Sequence, residues 1–375
     1  MDNEGLAETQ FNPWLDGDWE TPSAGVDDDH GLLIGGLGAF PEEGRSFGVS
    51  KASVLRGQVV SRETLGPHEV WAQASGRDLL VTQLAPGPCK GHLLRADLNE
   101  MGFDAGGFDG DLRVRGAMAG KAFSMVSVLE QGGVLNQWGH KVEAGDILAI
   151  PPGGELDGRF QGPTTYAVVT APWDMVMHRA EAFEWLADPH FWTEAAVCSP
   201  PPEARATCKR MLQGCAGVLR ALGDRTPMRI VDFLRRELVD SLLVALTQAK
   251  ESGARRHGVL NAARIVRRSE DFLESGARHG VQVDDVCRAL GISRRTLYRA
   301  FHDLLDVSPK AYLRLKSMSA ARARLLAGAK SPTTVTQVAL DHGFWELGRF
   351  AGAYRAMFGE APSDTLRRSG GGLRR

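Results

Sequence analysis

Arginines, hydroxyl side chains and glycines recur in two related patterns within the last third of this 375-residue chain, over residues 283–301 and 335–358. In the first, Cys287, Gly291 and Leu297 stand at i, i+4 and i+10. Two crossing helices need a small contact residue, a glycine to make the turn and a branched apolar residue to close the core at such places. Val286, Leu290, Ile292 and Phe301 complete an apolar face at helical spacing. Ser293 is expected to cap the second helix, since its hydroxyl can accept from an unpaired amide of the first turn. Arg294, Arg295, Thr296, Tyr298 and Arg299 are left for solvent. Guanidinium groups pair bidentately with guanine edges and any cation gains from nearby phosphate, so this helix suits the major groove of double-stranded DNA.

The second pattern repeats the logic with Ala339 as the small contact and Gly343 as the turn, but its closing Phe350 follows the glycine by seven residues rather than six. That spacing predicts a turn one residue longer. Glu346, Gly348, Arg349 and Gly352 then face outward, a sparser set than in the first unit. Arg349, the one long donor near the helix start, is the expected base contact. Glu346 is expected to cap the helix electrostatically, with acceptance from a cytosine amino group as the alternative. Between the units, residues 308–327 read as a helix with Pro309 at its first position and alternating apolar and basic faces. About 18 helical residues at ~1.5 Å each give roughly 27 Å. Such a rod can hold two recognition helices near the ~34 Å that separates successive major grooves.

The segments SRRTLYRAF (residues 293–301), VSPKAYL (307–313), ALDHGF (339–344) and RFAGAYRAMFGEAPS (349–363) together carry a family likeness. Residues 259–368 resemble the DNA-binding domain of the AraC/XylS family of bacterial transcription regulators. The resemblance implies base contacts by Arg295, Thr296 and Arg299 from the first recognition helix and by Leu347, Gly348 and Arg349 from the second. Phosphate contacts are expected from Ser293, Arg294, Lys310, Lys316 and Arg355. The chain departs from the family at Cys287, which fills a usual alanine slot, and at Gly348 and Gly352, which offer no side chain to read with. Weaker or shape-based readout is therefore expected of the second unit. The resemblance also implies RNA polymerase as a partner and activation as the usual outcome, with repression left open.

A formal charge of −2 conceals a strong asymmetry. From Arg255 to the end, 22 Lys and Arg face 11 Asp and Glu, a charge of +11, whereas the preceding 254 residues carry 22 against 35, a charge of −13. Nineteen of the 22 cations are arginine, the side chain whose planar fork best fits guanine and phosphate. A basic third gains from counterion release on a phosphate polymer while the acidic remainder is held away from it. No run of 18 apolar residues occurs, and Asp2, Glu4, Glu8 and Asp16 replace a basic-then-apolar leader. Neither a membrane span nor a signal peptide is expected, and the cytoplasm is the natural compartment. The five cysteines, at 89, 198, 208, 215 and 287, include no Cys-x-x-Cys pair. Cys208 and Cys215 lie seven apart, too far for a bridge within one straight helix, so idle thiols are expected rather than a redox switch.

Residues 1–50 are rich in Gly, Asp and Glu with little periodicity and are expected to form a disordered arm. Over 51–172 short apolar runs alternate with Gly and Pro, at 78–84, 92–98, 112–115, 122–129, 146–150 and 165–170. Six or so strands at this spacing predict a sandwich or small barrel. The run GDILAIPPGGE (145–155) resembles the second motif of the cupin barrels. Metal-binding cupins place a histidine three residues after the Pro-x-Gly bend, where this chain has Leu156, and an upstream His-x-His pair is missing, with only His140 nearby. Without those ligands no metal, cofactor or catalytic residue is expected. The domain is taken as a metal-free pocket for an unidentified small-molecule effector, with Trp138, His140, Glu155, Asp157 and Tyr166 as candidate lining residues and a structural role as the alternative for each. The stretch VTQLAPGPCKGHLLR (81–95) is similar to the sensor domains of ethanolamine-operon-type regulators, a likeness that transfers no effector.

Residues 203–222 and 227–246 read as amphipathic helices, the second with Ile230, Val231, Leu234, Leu238, Leu242 and Leu246 along one stripe. This 173–249 connector could supply a homodimer contact or pack on its own barrel. Residues 250–258 are expected to be a flexible linker and 369–375 a disordered tail. The expected whole is a multidomain chain, with a mostly β cupin-like N-terminal domain, a helical connector and an all-α C-terminal domain carrying two helix-turn-helix units. Its expected role is that of an effector-responsive, sequence-specific transcription regulator and not an enzyme. The rivals are an effector-independent DNA-binding repressor and a cupin enzyme fused to a DNA reader.

Overall fold

The computed structural model describes residues 59–65, 79–118, 120–183, 186, 192–251, 255–257, 259–274, 283–327 and 333–371. The arm expected over 1–50 lies outside the described residues. Among those described, strands dominate as far as residue 172 and helices thereafter.

Two antiparallel sheets form the N-terminal part. The larger runs in the order β1 (Val59–Leu65), β3 (Gly91–Leu98), β4 (Met101–Phe108), β11 (Thr164–Pro172), β6 (Ala122–Gln131), β9 (Ile147–Ile150), β12 (Ala196–Cys198) and β13 (Arg255–His257). The smaller runs β2 (Leu80–Gln83), β5 (Asp111–Ala117), β10 (Glu155–Gln161), β7 (Leu135–Gln137) and β8 (His140–Val142). They pack as a β-rich sandwich that does not close into a barrel. Its interior is filled by Leu93, Phe108, Leu112, Val114, Val128, Leu148, Leu156, Phe160, Tyr166 and Val168, among others. The two-residue period of a strand sorts β5 cleanly: Leu112 and Val114 enter this core while Arg113 and Arg115 point to the opposite face.

All six apolar runs contain strands. The strands they did not mark include β4, whose MGFDAGGF sequence is glycine-rich. Those glycines are needed, since a Cβ on Gly106 would lie 2.5 Å from the His92 carbonyl oxygen and one on Gly107 would lie 2.8 Å from the His92 ring. Close packing of β3 on β4 thus selects glycine where strand propensity would disfavour it.

Helix α1 (Trp173–Ala180) follows the sandwich, and α2 (Pro202–Leu222) and α3 (Met228–Glu251) form the connector. Val231, Leu234, Leu238, Leu242 and Leu246 are buried within the chain itself, so the apolar stripe of α3 faces its own protein and not a partner. The linker expected at 250–258 is corrected by β13, which pairs antiparallel with β12 through Ala196–His257, Val197–Arg256 and Cys198–Arg255. Arg256 fastens it further, donating to Asp146 at 3.1 Å and to Ser199 at 3.0 Å.

The remaining helices are α4 (Asn261–Glu274), α5 (Val283–Leu290), α6 (Arg294–Leu305), α7 (Pro309–Leu326), α8 (Val335–Asp341), α9 (Leu347–Phe358) and α10 (Pro362–Gly371). Helix α10 runs into the tail expected from 369. No helix among the described residues is long and apolar enough to cross a membrane. All five cysteines are free, and burial pushes the Cys208 and Cys215 thiols up to about 12.

Candidate nucleic-acid interface

The first reader is built as its spacing requires. Helix α5 ends at Leu290, and Gly291 takes φ +66°, a left-handed value that favours glycine. The Ile292 amide then donates back to the Cys287 carbonyl at 3.1 Å, closing the helix end. Ser293 caps α6, its hydroxyl accepting from the Thr296 amide at 3.1 Å. Leu297, Phe301, Val286 and Cys287 are buried together, while Arg294, Arg295, Thr296, Tyr298 and Arg299 are exposed. Asp284 on α5 binds Arg294 through two hydrogen bonds, and Arg299 lies 3.5 Å from Asp303. The Asp284 carboxyl sits below its usual range, chiefly through the hydrogen bond from Arg294.

The second reader repeats the turn with one insertion. The Phe344 amide donates to the Ala339 carbonyl at 2.9 Å, the counterpart of the Ile292 bond, and Gly343 takes φ +81°. Whereas the capping Ser293 directly follows Ile292, Trp345 here stands between Phe344 and Glu346, the residue at the cap position of α9. Phe344 packs on Phe350 with ring centroids 4.9 Å apart, and Phe350 stacks on toward Tyr354. Glu346 accepts no cap hydrogen bond and instead pairs with Arg349 at 2.9 Å. Its carboxylate thus stands at the N-terminus of α9, where the helix dipole favours negative charge, while also pairing with Arg349. Leu347, Gly348, Arg349 and Gly352 are exposed as expected.

Helix α7 braces the pair. Ser308 caps it, accepting from the Ala311 amide at 3.2 Å, with Pro309 at the first helical position. Its first half packs Tyr312 into the core of the first reader, and its second half packs Met318, Ala321 and Leu325 into that of the second. Among the expected phosphate contacts, Ser293, Arg294, Lys310 and Arg355 are exposed. Lys316 is different, held at 2.7 Å by Glu274 in the seam between α4 and α7. A neighbour from a distant turn claims this cation.

The outer face of the smaller sheet carries a charged seam against this domain. Arg113 is buried and reaches Glu270 of α4 with two hydrogen bonds, at 2.8 and 3.2 Å, and Asp157 of β10 at 2.5 Å. Tyr312 of α7 donates to the same Glu270 carboxylate, and Arg115 donates to Asp271. Burial raises the Glu270 carboxyl, but Arg113 outweighs it and the net direction is downward. Burial beside that carboxylate holds the Tyr312 phenol well above its usual range. The second reader is tied separately. The Gln83 amide donates to Ser319 at 3.1 Å, and its side chain donates to the Met357 carbonyl at 2.9 Å.

This seam decides where the candidate ligand residues lie. Asp157 is spent on Arg113, and Tyr166 belongs to the sandwich core beside Phe108. His140 is half-buried on β8. Only Trp138 and Glu155 of the five line an open cleft of about 360 Å³, with Gly153, Gly154, Glu194, Ala195, Val259 and Arg267. Arg267 of α4 pairs with Glu155 at 2.9 Å across it, and the Leu260 amide donates to the Trp138 carbonyl at 3.0 Å. The cleft therefore sits where the sandwich meets α4, not inside the sandwich. Among the described residues no cluster of three His, Cys, Asp or Glu could hold a metal ion.

A family model described as a helix-turn-helix domain matches residues 286–368. The XylDLEGF operon transcriptional activator 3 of Pseudomonas putida is 27% identical over 237 residues, 61% of this chain and 67% of that protein. The XylDLEGF operon transcriptional activator 2 of the same organism is 33% identical over 121 residues, 32% of this chain and 77% of that protein. Among solved structures, a probable AraC family transcriptional regulator from Rhodopseudomonas palustris CGA009 is 38% identical, covering 28% of this chain and 97% of that one, with a TM-score of 0.26. With two readers on one brace and this degree of identity, the chain belongs to the AraC/XylS family of DNA-binding transcription regulators.

Proposed function

We infer that this regulator is an effector-responsive activator whose α6 and α9 enter successive major grooves of a promoter. The observation that carries the reading is the exposed face of α6, where Arg294, Arg295, Thr296, Tyr298 and Arg299 stand clear of a core closed by Leu297 and Phe301. Base contacts come from Arg295, Thr296 and Arg299 on α6 and from Leu347, Gly348 and Arg349 on α9. Phosphate contacts come from Ser293, Arg294, Lys310 and Arg355. The names of the Pseudomonas putida relatives support activation, and RNA polymerase is then the partner. Residues 51–172 serve as sensor, 173–249 as connector and 259–368 as DNA-binding domain, working in the cytoplasm without catalysis of their own.

The cleft between Trp138, Glu155 and Arg267 is the effector site this reading favours, because its walls come from both parts and a ligand there would bias their arrangement. A homodimer would use the outer face of α2 and α3, where Val218, Leu222, Phe233 and Val244 are exposed.

Selection of duplexes from a randomised pool by the full-length protein, followed by footprinting at low salt, tests the reading. Two protected patches about one helical turn apart, ~34 Å, are expected, along with a loss of protection of one patch in Arg295→Ala. A folded protein that protects no selected duplex overturns it. A panel of metabolites screened by thermal shift and by DNA affinity tests the sensor half, where at least one compound must alter both.

A further inference from the structure

Trp345 is 72% exposed, the most exposed of the large hydrophobic residues among those described. Its exposure has a local cause. The two readers share the same helix-ending hydrogen bond, Ile292 to Cys287 in one and Phe344 to Ala339 in the other. In the first, the residue making that bond directly precedes the cap and packs against the core. In the second, Phe344 takes the core position, against Phe350, and the inserted residue has no place inside. The longer turn thus ejects an indole at the threshold of α9, two residues before its exposed first residue, Leu347.

The surroundings suit an apolar reading of DNA. The N-terminal residues of a recognition helix are those that meet base edges. Here they are Leu347, Gly348 and Arg349, the last paired to Glu346, with Trp345 standing just ahead of the cap beside them. A Cβ added at Gly348 or Gly352 would meet nothing within 4 Å, so this side of α9 is smooth and its backbone can come close to a groove wall. Thymine is the base that offers an apolar group in the major groove, its 5-methyl. The corresponding stretch of α6 offers guanidiniums instead.

We propose that Trp345, with Leu347, is a specificity-determining contact that packs on thymine 5-methyl groups in the half-site read by α9. This rests on the placement of α9 in a major groove proposed above, and it divides the labour: α6 reads through charge and hydrogen bonds, whereas α9 adds apolar contact to the contact of Arg349.

Replacing thymine by deoxyuridine removes the methyl and nothing else, and this needs no variant protein. The probe is a duplex selected from a randomised pool by the full-length protein, with each thymine of the second half-site replaced in turn. Wild type is expected to lose affinity roughly fivefold at one or two positions, the size of an apolar contact near 1 kcal/mol. Trp345→Ala should lose a similar factor on the thymine duplex and nothing further on the deoxyuridine duplex, with Trp345→Phe in between. Its salt dependence should match that of wild type, because no phosphate contact is removed. Wild-type binding indifferent to every replacement overturns the proposal, as does a Trp345→Ala protein that binds both duplexes normally. If that variant binds normally yet fails to activate transcription, the indole contacts protein instead and the proposal also falls. Failure to bind any duplex would sink the placement of α9 itself, an outcome distinct from the others.

Discussion

Single side chains at the readers divide into those whose partner is local and those whose partner is distant. Ser293, Ser308 and Thr334 each cap a helix by accepting from an amide three residues on, a contact that sequence spacing foretells. Ser293→Ala is accordingly expected to lower stability by about 1 kcal/mol, read as a shift in the chemical unfolding midpoint. Arg299 is exposed and lies 3.5 Å from Asp303. For Arg299→Ala we expect a loss of about 1 to 3 kcal/mol in binding and relaxed preference at one base position, seen by repeating the selection with the variant. Unchanged preference would remove Arg299 from the reading face. The partners of Arg294 and Lys316 were not legible, because Asp284 and Glu274 reach them only once separate helices have packed. Trp345 was legible only as a count, seven positions from Gly343 to Phe350 against six from Gly291 to Leu297, and its outward position needed the paired turn geometry.

At the scale of elements, the C-terminal helices were readable because their apolar residues return every three or four positions and their ends carry caps. Strands were readable where apolar residues cluster, as in β6 and β11, and unreadable where tertiary crowding dictates the residue. Thus β4 carries glycines where His92 presses on it, and β13 has no apolar residue to mark it, pairing along β12 while Arg256 binds Asp146. The reader turns offer a clean test of backbone cost. Gly291 and Gly343 both have positive φ and open space where a Cβ would stand. Alanine at either should therefore cost about 1 kcal/mol through the backbone alone. A loss several times larger, measured by denaturant unfolding, would mean that the added methyl meets something.

For the molecule as a whole, the buried seam of Arg113, Asp157, Glu270 and Tyr312 is the feature that sequence could not disclose, since the two elements it joins lie more than 150 residues apart. Glu270→Gln leaves the buried Arg113 guanidinium with Asp157 alone to balance its charge, so it should destabilise the docked arrangement by roughly 2 to 3 kcal/mol. Limited proteolysis between the two parts would report it. The Glu270 carboxyl is held below its ordinary value of 4.5. Its contribution is therefore complete above that value and is lost as pH falls through the lower value of the folded state. Wild type should lose docking on acidification below about 4.5, and the Gln variant should lack that component of the pH dependence. Parallel acid profiles for the two proteins would refute the assignment.

The anchors of the two readers meet on neighbouring rungs of one ladder. Thr82 pairs across from Arg113, whose guanidinium grips α4 beside the first reader, and Gln83 next to Thr82 grips Met357 in the second. Because side chains alternate between the two faces of a strand, a slip of one residue between β2 and β5 would turn an anchor away from its helix, so the register of this single strand pair holds both arms in place at once.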